Sequence, residues 1–409
     1  MTSPEEMVAR TTRLDRDVEL LAVAGADGVL FSRNRVGFAG RGVALRARRA
    51  DVTSSLEAIA VDDSVGQPGT GPVAFGALPF LPGADAELVV PAVLVGRDLD
   101  GTRWVTTVTP RDVDAPDPVA TIDGLLAEAP RQPEPGPGAF DVRSARPPEA
   151  WTDAVATATA RIRAGELDKV VLAREVVVTA DAPIPVDTVL TRLSQAYPDC
   201  FLYLVDGFCG ASPELLVGRS GDVVRAQPMA GTAPRRGDPA ADARLAASLF
   251  ASPTYRHEHQ VTIDAVHDGL LAFSSYVDYE PEPSVVALAN VQHLATSVEG
   301  RLSHPPASIL ELVDALHPTP AVCGRPREAA LAVIAELEEL DRARYAGAVG
   351  WVDANGNGQW AVAIRGASID GPVARVIAGN GIVGDSDPPT ELSETRAKLQ
   401  AMLAAIVRP

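Results

Sequence analysis

The sequence predicts a mixed α/β protein of the α+β type, and three observations support this class. The first 128 residues alternate short apolar runs with turn residues, a pattern typical of a strand-rich sheet. After residue 150, several segments with apolar residues at helical spacing alternate with strand-like runs. Hydrophobic residues make up 46% of the 409 residues, which indicates a globular chain with a large core.

Composition and charge exclude several classes of function. The formal net charge of -18, with no long basic run, argues against a nucleic-acid partner, because phosphate binding needs clustered Lys and Arg. The cysteines, Cys200, Cys209 and Cys323, form neither a disulfide framework nor a CxxC metal site. The N-terminal MTSPEEMVAR lacks an apolar signal core, and no apolar span is long enough to cross a membrane. We therefore expect a soluble, cytoplasmic protein with no membrane partner.

The chain divides at a proline-rich stretch. Residues 1–128 are predicted to be the sheet-rich N-terminal part of the fold, with the apolar runs VELLAVAG, GVLFS, GVALRARR, PVAFGALPF and LVVPAVLVG. Few catalytic residue types gather there, so a scaffold role is favoured. Residues 129–149, which contain PRQPEPGPGAFDVRSARPP, are predicted to be an exposed connector, because proline is excluded from helix interiors and central strands. Residues 150–409 carry the candidate site residues.

A strand predicted at residues 169–179, KVVLAREVVVT, begins with Lys169. The helix before it is predicted from the spacing of Trp151, Val155, Ala158 and Ile162. A lysine partly withdrawn from water loses some preference for its charge, so Lys169 could act as a base near neutral pH. A strand-end lysine that extends into solvent fits the same pattern.

Two candidate groups follow in the next strands. Glu214 begins an apolar run after Pro213, and a carboxylic acid among apolar neighbours could have a raised pKa and donate a proton. An exposed acid at a strand edge is the alternative. In AQPMAGTAPRR, Gly231 and Thr232 offer adjacent backbone N–H donors in a predicted turn, which is a weak indication of an anion site.

The segment RHEHQVTIDAVHDGLLAF is predicted to be a helix that carries Glu258. Its buried face is formed by Ile263, Val266, Leu270 and Phe273, and Glu258 lies off that face. The histidines beside Glu258 lack HExxH spacing, so no zinc site is predicted. Glu258 is either an oxygen ligand for a hard cation or an ordinary surface acid.

The segment AVGWVDANGNGQWAVAIRGA is predicted to be a hairpin that turns at residues 355–358. Ala361, Ala363 and Arg365 would share one face of its second strand and form a shallow floor that ends in a guanidinium. Such a floor suits a planar carboxylate, which arginine can hold through two parallel hydrogen bonds. An arginine at the solvent end of a half-exposed strand is equally compatible with the pattern.

Residues 379–398, GNGIVGDSDPPTELSETRAK, lead into the C-terminal helix, which Asp387 or Thr390 could cap. Glu391, Glu394 and Lys398 fall within about 60° of each other around that helix. Two acids at this spacing could bind a divalent cation, with the ammonium of Lys398 available for an anion. A solvated helix face with one Glu394–Lys398 pair is the plainer alternative.

The order of these segments resembles the chorismate-utilising enzymes, and in particular the isochorismate synthases. The resemblance rests on DKVVLARE, SPELL, PMAGTAPRR, RHEH, HLATSVEG, HPTPAVCG, YAGAVGW, AIRGA, AGNGIV and ExxETxxK, in that order. It is dense from Asp168 to Lys398 and looser through GPVAFGALPF. It implies one α/β unit of two antiparallel-sheet subdomains, flanked by helices, with the active site in a central cleft and residues 150–409 as the chorismate-binding catalytic region.

The resemblance also implies a role for each candidate residue. Lys169 would activate a water that attacks ring carbon 2 of chorismate, and Glu214 would protonate the departing hydroxyl on carbon 4. A Mg²⁺ ion, the implied cofactor, would be held by Glu258 and Glu394, with Glu391 behind them. The other residues would bind the substrate or shape its pocket: Gly231, Thr232, His293, Ala321, Tyr345, Ile364, Arg365, Gly379, Gly381 and Lys398.

The activities within this family are distinguished by fewer residues than the family itself. Ala321 favours water addition, because relatives that use ammonia or eliminate pyruvate commonly carry threonine there. No cysteine lies in a GxCxG setting, so no fused glutaminase is expected. The resemblance implies an enzyme that supplies siderophore or menaquinone precursors, and we expect a monomer that needs no glutaminase subunit. Tyr255 stands where many relatives have an acidic residue, so weaker metal binding is expected.

Two alternatives remain. Salicylate synthase forms isochorismate and then eliminates pyruvate in the same site, and Tyr345 is compatible with it. A non-catalytic carboxylate-binding protein on the same scaffold is the alternative from another class. The presence of both Lys169 and Glu214 argues against it, because a pure binding protein needs neither a base nor an acid.

Overall fold

The computed structural model of the chain describes residues 3–114, 116–128, 136–235, 237–289 and 291–407. Up to residue 128 the elements are β1 (Met7–Arg13), α1 (Leu20–Ala24), β2 (Val29–Arg33), β3 (Val36–Arg41), β4 (Leu45–Arg48), α2 (Val52–Ala58), β5 (Ala60–Asp63), β6 (Val73–Leu78), β7 (Glu87–Val90), β8 (Val93–Arg97), β9 (Arg103–Pro110) and α3 (Pro118–Glu128). This part is strand-rich, as predicted. The run VELLAVAG is an exception, because it contains the short helix α1.

The second part alternates strands with longer helices. Its elements are β10 (Phe140–Ser144), α4 (Pro148–Arg163), β11 (Lys169–Ala180), α5 (Val186–Ala196), β12 (Phe201–Val205), β13 (Phe208–Ser212), β14 (Leu215–Ser220), β15 (Val223–Gln227), β16 (Met229–Pro234), α6 (Pro239–Ala251), α7 (Pro253–Leu271), β17 (Ser274–Tyr279), β18 (Ser284–Ala287), β19 (Val291–Ala295), β20 (Val298–Leu302), α8 (Ile309–Leu316), β21 (Gly324–Arg325), α9 (Arg327–Leu337), β22 (Ala348–Asp353), β23 (Gly358–Val362), β24 (Gly366–Asp370), β25 (Val373–Ile382) and α10 (Pro388–Ile406).

The strands of the described ranges form three sheets. The large sheet has the order β10-β11-β25-β24-β13-β12-β2-β3-β8-β9-β1-β5, with β21 also paired to β11. The second sheet has the order β17-β20-β15-β14-β23-β22-β6-β7-β4, and the small sheet has the order β16-β19-β18. The ladders are antiparallel, apart from the parallel pair of β1 and β5. The predicted α+β class with antiparallel sheets flanked by helices is confirmed.

Both larger sheets combine strands from the two parts of the chain. β2 pairs with β12, and β6 pairs with β22. The predicted connector lies partly outside the described residues, at 129–135; its described remainder includes the edge strand β10 and the start of α4. The division into residues 1–128, 129–149 and 150–409 stays a prediction.

The two larger sheets pack face to face over an aromatic core. Phe38 on β3, Phe75 on β6, Trp104 on β9 and Trp351 on β22 belong to one buried cluster. Phe38 lies against the other three rings, at centroid distances of 4.8 to 6.0 Å. Because successive side chains of a strand alternate between its two faces, the opposite faces remain free for helices. α5 and α10 pack on the outer face of the large sheet, and α8 packs against the second sheet.

None of the helices in the described ranges combines the length and the apolar character needed to cross a lipid bilayer.

Candidate functional site

A cleft of about 380 Å³ brings the predicted site residues together. The predicted residues that line it are Glu214, Gly231, Thr232, Glu258, His293, Ala321, Tyr345, Ile364, Arg365, Gly379, Gly381, Glu391, Glu394 and Lys398. Lys169 is not among the lining residues, but it is hydrogen-bonded to Glu258, which is. Among the described residues, the lining starts at Val171 in chain order, so no described residue of 1–128 lines this cleft.

Lys169 is held by an ion pair at the start of β11. Its side chain is 8% exposed, and Nζ donates to Oε1 of Glu258 on α7 at 2.6 Å. Gly381 on β25 makes room for this pair, because a Cβ there would lie 2.5 Å from Cε of Lys169. The alternative of a lysine extended into solvent is therefore wrong.

Glu214 lines a buried part of the cleft, between β13 and β14. It is 4% exposed and accepts a long hydrogen bond of 3.5 Å from the N–H of Met229. Burial raises the pKa of Glu214 to about 8, although Met229, Lys169 and Arg365 lower it in part. Burial therefore favours the protonated form of Glu214 near neutral pH, which is the form that a proton donor needs.

Glu391 and Glu394 project from the first turns of α10, which Asp387 caps by accepting from the N–H of Thr390 at 3.1 Å. Asn380 on β25 donates to Glu391 Oε2 at 2.9 Å and to Glu394 Oε2 at 3.3 Å. Both acids thus face the cleft, and the alternative of a solvated helix face is wrong.

Glu258, Glu391 and Glu394 lie close enough for their negative charges to repel one another. Burial raises the pKa of Glu394; Lys398 opposes this shift, and Glu391 and Glu258 add to it. Carboxylate oxygens are the ligands that hard divalent cations prefer, so this donor set fits Mg²⁺. No group of three or more His, Cys, Asp or Glu in the described ranges is arranged to hold an ion alone. A cation here would therefore complete its coordination with water or substrate oxygens, as Mg²⁺ commonly does.

Arg365 and Lys398 form the basic side of the cleft. Nε of Arg365 is buried and has no hydrogen-bond partner among the described residues, and Nη2 lies 3.4 Å from Nε2 of His293. Lys398 Nζ donates to the carbonyl of Gly379 at 3.0 Å and to Asn380 Oδ1. Burial and the nearby Arg365 lower the pKa of Lys398 to about 8. An unpartnered guanidinium nitrogen beside a second cation indicates an anion site.

The alanine floor predicted beside Arg365 is wrong. β23 ends at Val362, and Arg365 has a φ of +55°, so the strand alternation does not continue to it. Ala361 and Ala363 are fully buried in the aromatic core. Ile364, on the other predicted face, lines the cleft instead.

Gly231 and Thr232 lie in strand β16, so the predicted turn is also wrong. The strand has a bulge there, and Gly231 has a φ of +72°. Nδ1 of His293 lies 3.1 Å from the carbonyl of Gly231, and because a carbonyl can only accept, this nitrogen carries the proton. Burial, Arg365 and Lys398 together lower the pKa of His293 to about 3, so the ring is neutral.

Several residues of the site escaped sequence reasoning. Asn380 joins both α10 acids to Lys398, and Ser386 donates to Glu391 Oε1 at 2.7 Å. The only available signal was their position in the glycine-rich stretch that leads into α10. Tyr255 was singled out, and it lines the cleft; burial and then Glu394 raise its pKa, so the phenol stays protonated.

Comparisons with known proteins identify the family of the chain. The family model described as chorismate binding enzyme matches residues 39–407. A Mycobacterium tuberculosis protein named provisionally as isochorismate synthase MenF is 39% identical over 399 residues, covering 94% of this chain and 95% of its own. Isochorismate synthase MenF of Bacillus subtilis is 34% identical over 360 residues, covering 82% and 75%. The solved structure of the menaquinone-specific isochorismate synthase MenF from Escherichia coli shares the fold, with a TM-score of 0.83, 24% identity and coverage of 98% and 94%.

Proposed function

The chain belongs to the chorismate-binding enzyme family, and from this membership we propose that it is an isochorismate synthase, an isomerase that moves a hydroxyl group on the ring of chorismate. Water adds at ring carbon 2, and the hydroxyl on carbon 4 leaves as water. The observation that carries the proposal is a buried, neutral Glu214 in the same cleft as a lysine, an arginine and three further glutamates.

Glu214 is proposed to be the general acid. Hydroxide is a poor leaving group, so a proton must reach the carbon 4 oxygen as its bond to carbon breaks. A carboxyl group with a pKa of about 8 holds that proton at neutral pH. Burial supplies this property, because it disfavours the ionised form of the acid.

Lys169 is proposed to be the general base. The ammonium of Lys169, which donates to Glu258, must first release a proton, since an ammonium has no lone pair with which to accept one. The proton that it takes from the attacking water balances the one that Glu214 gives up.

The charged groups of the cleft are proposed to orient the substrate. Arg365 and Lys398 bind anionic groups of chorismate, and the bulge at Gly231 and Thr232 and the neutral His293 shape the pocket between them. Mg²⁺, held by Glu258 and Glu394 with Glu391 behind them, would neutralise the ring carboxylate of the substrate. Gly379 and Gly381 keep side chains out of this space, and Tyr345 and Ile364 close its apolar side.

Water rather than ammonia is the proposed nucleophile, because Ala321 lines the cleft where relatives that use ammonia carry threonine. The chain would accordingly act as a monomer without a glutaminase subunit. Its product would supply menaquinone or siderophore precursors. Sedimentation analysis tests the monomer directly.

The decisive experiment incubates the purified protein with chorismate and Mg²⁺ and identifies the products by chromatography. Isochorismate as the product supports the proposal. Salicylate with pyruvate would establish the salicylate synthase alternative, and anthranilate formed with added ammonium would identify an ammonia-dependent enzyme. Binding of chorismate without turnover would identify a non-catalytic carboxylate-binding protein.

A further inference from the structure

A buried ion pair outside the proposed catalytic groups lies directly behind the cleft. Glu338 follows the last turn of α9, and Arg342 lies in the loop before β22. They are 4% and 3% exposed. Nε of Arg342 donates to Glu338 Oε2 at 2.8 Å, and Nη2 donates to Oε1.

The pair replaces a missing neighbour strand along β11. β21 pairs with the first two residues of β11 and β10 with its last five, which leaves one edge open between them. In that gap, Glu338 Oε1 accepts from the N–H of Ala173 at 2.7 Å, and Arg342 Nη2 donates to the carbonyl of Val171 at 2.7 Å. The side chains thus satisfy backbone groups that a strand would otherwise satisfy.

The same arginine holds two further pieces of the cleft wall. Nη1 of Arg342 donates to the carbonyl of Val322 at 2.9 Å, and Val322 lines the cleft beside Ala321. The carbonyl of Arg342 accepts from the N–H of Tyr345 at 2.8 Å. Arg342 therefore holds three segments of the cleft wall, two through its guanidinium group and one through its backbone carbonyl.

Stability alone does not account for this arrangement. Two desolvated charges cost free energy that their attraction only roughly offsets, and apolar side chains of similar volume often stabilise a fold as well. A guanidinium offers something that apolar groups lack, because its rigid fork of donors reaches several acceptors at once. The ring of Phe80, whose centroid is 4.2 Å from Cζ of Arg342, holds the plane of that fork.

We propose that Glu338 and Arg342 are positioning residues, which fix β11, the loop at Ala321 and Val322, and Tyr345 relative to one another during the reaction. The inference rests on the proposed isochorismate synthase activity. Val171 lies two residues after Lys169 and itself lines the cleft, so a shift of β11 moves the base and the wall together. A misplacement of about 1 Å can lower a rate by roughly 10²-fold.

The test compares the double variant E338Q/R342M with Arg342→Lys and with Glu336→Gln. The double variant removes both charges and keeps the volume, whereas Arg342→Lys keeps the charge and loses the fork. Glu336 lies on the same helix, and its ion pair with Arg161 is exposed, so Glu336→Gln is the matched control. For each variant, kcat and KM for chorismate are measured, and kcat is divided by the folded fraction from circular dichroism.

We expect corrected kcat to fall by about 10²-fold in the double variant and in Arg342→Lys, with KM changed by less than about threefold. Glu336→Gln should match the wild type. Unchanged kcat in either folded variant would overturn the positioning role. A loss that the folded fraction accounts for, or failure of both variants to fold, would also overturn it, because the pair would then serve stability. If the wild-type protein makes no isochorismate, the proposed function fails instead.

Discussion

Glutamates in two parts of the cleft are proposed to serve opposite purposes. Glu214 is buried with a single long backbone contact given by Met229, and burial holds its carboxyl group neutral. Glu391 and Glu394, at the other end, lie together with hydrogen bonds from Asn380. Burial favours the protonated form of a carboxyl group. Neighbouring carboxylates that accept hydrogen bonds favour the binding of a cation.

This contrast teaches that the residue type does not decide the role of a glutamate. The proposed acid end needs a proton to stay bound, and the proposed cation end needs negative charge to remain. Each of the following experiments removes or adjusts one side of that contrast, beginning with the largest expected effect.

Removal of the proposed acid or base should nearly abolish turnover. We expect Glu214→Gln and Lys169→Ala each to lower kcat by roughly 10²- to 10⁴-fold, because each removes one proton transfer. Isochorismate formation, followed by chromatography, measures the loss. Calorimetry should show that chorismate still binds; lost binding together with residual turnover would contradict these roles.

Substitution of the glutamates proposed to hold Mg²⁺ should weaken binding of the ion. We expect Glu258→Gln and Glu394→Gln to raise the Mg²⁺ concentration for half-maximal activity by roughly 10- to 100-fold. Glu391→Gln should have a smaller effect, because Asn380 and Ser386 already occupy its oxygens. Titration of a chelator-treated sample with Mg²⁺ gives the values. An unchanged Mg²⁺ requirement in Glu258→Gln and Glu394→Gln would show that these residues do not bind the ion.

The basic side should affect substrate binding more than chemistry. Arg365→Lys loses the planar fork and is expected to raise KM for chorismate about tenfold, the usual loss for a charged hydrogen bond. Lys398 remains as a second cation, so kcat should change less than KM. A fall in kcat with constant KM would assign Arg365 to the transition state instead.

The raised pKa of Glu214 predicts two pH effects of known sign. The proposed acid works when protonated, so kcat should fall about tenfold per pH unit above a pKa of about 8. The unfolded chain ionises Glu214 near its ordinary value of 4.5, so the contribution of this residue to stability declines between about pH 4.5 and 8.

Denaturant unfolding of the wild type and of Glu214→Gln at pH 4 and pH 8 checks the second effect. The Gln variant should gain on the order of 4 kcal/mol relative to the wild type at the higher pH, because the folded and unfolded pKa values of Glu214 differ by about 3.5. A difference independent of pH would mean that Glu214 is ionised in the folded protein.

The smallest effect is expected at Tyr255. Its phenol lies near Glu258, Glu391 and Glu394 without adding negative charge. Tyr255→Glu should therefore lower the Mg²⁺ concentration for half-maximal activity by about threefold, and Tyr255→Phe should not. If Tyr255→Glu instead binds Mg²⁺ more weakly, repulsion between the new carboxylate and the neighbouring glutamates outweighs its attraction for the ion.

Much of the site was accessible from residue patterns. The helix that carries Glu258 and the helix that carries Glu394 follow from apolar spacing, and both acids lie off the buried faces. Periodicity gives the face on which a side chain lies, because helix geometry is local. It does not give the distance to another helix. Lys169 illustrates the limit, since the pattern allowed both a buried and a solvent-exposed lysine.

Local geometry failed where the backbone departs from regular structure. The bulge at Gly231 and the left-handed conformation of Arg365 break the alternation on which strand reasoning depends. Glu338 and Arg342 are four residues apart, but no local pattern places them beside β11, because their partners on that strand are 165 and 171 residues away.

The amino-acid sequence by itself determined the α+β class, the helices and strands that carry the acids and cations, and the family resemblance, since these depend on local spacing and ordered motifs. The tertiary structure decided which glutamate is neutral, which one pairs with Lys169, and which walls Arg342 joins. Those properties depend on burial and on contacts between segments distant along the chain. No local sequence pattern shows how far the neighbouring segments of the folded chain exclude water from a side chain.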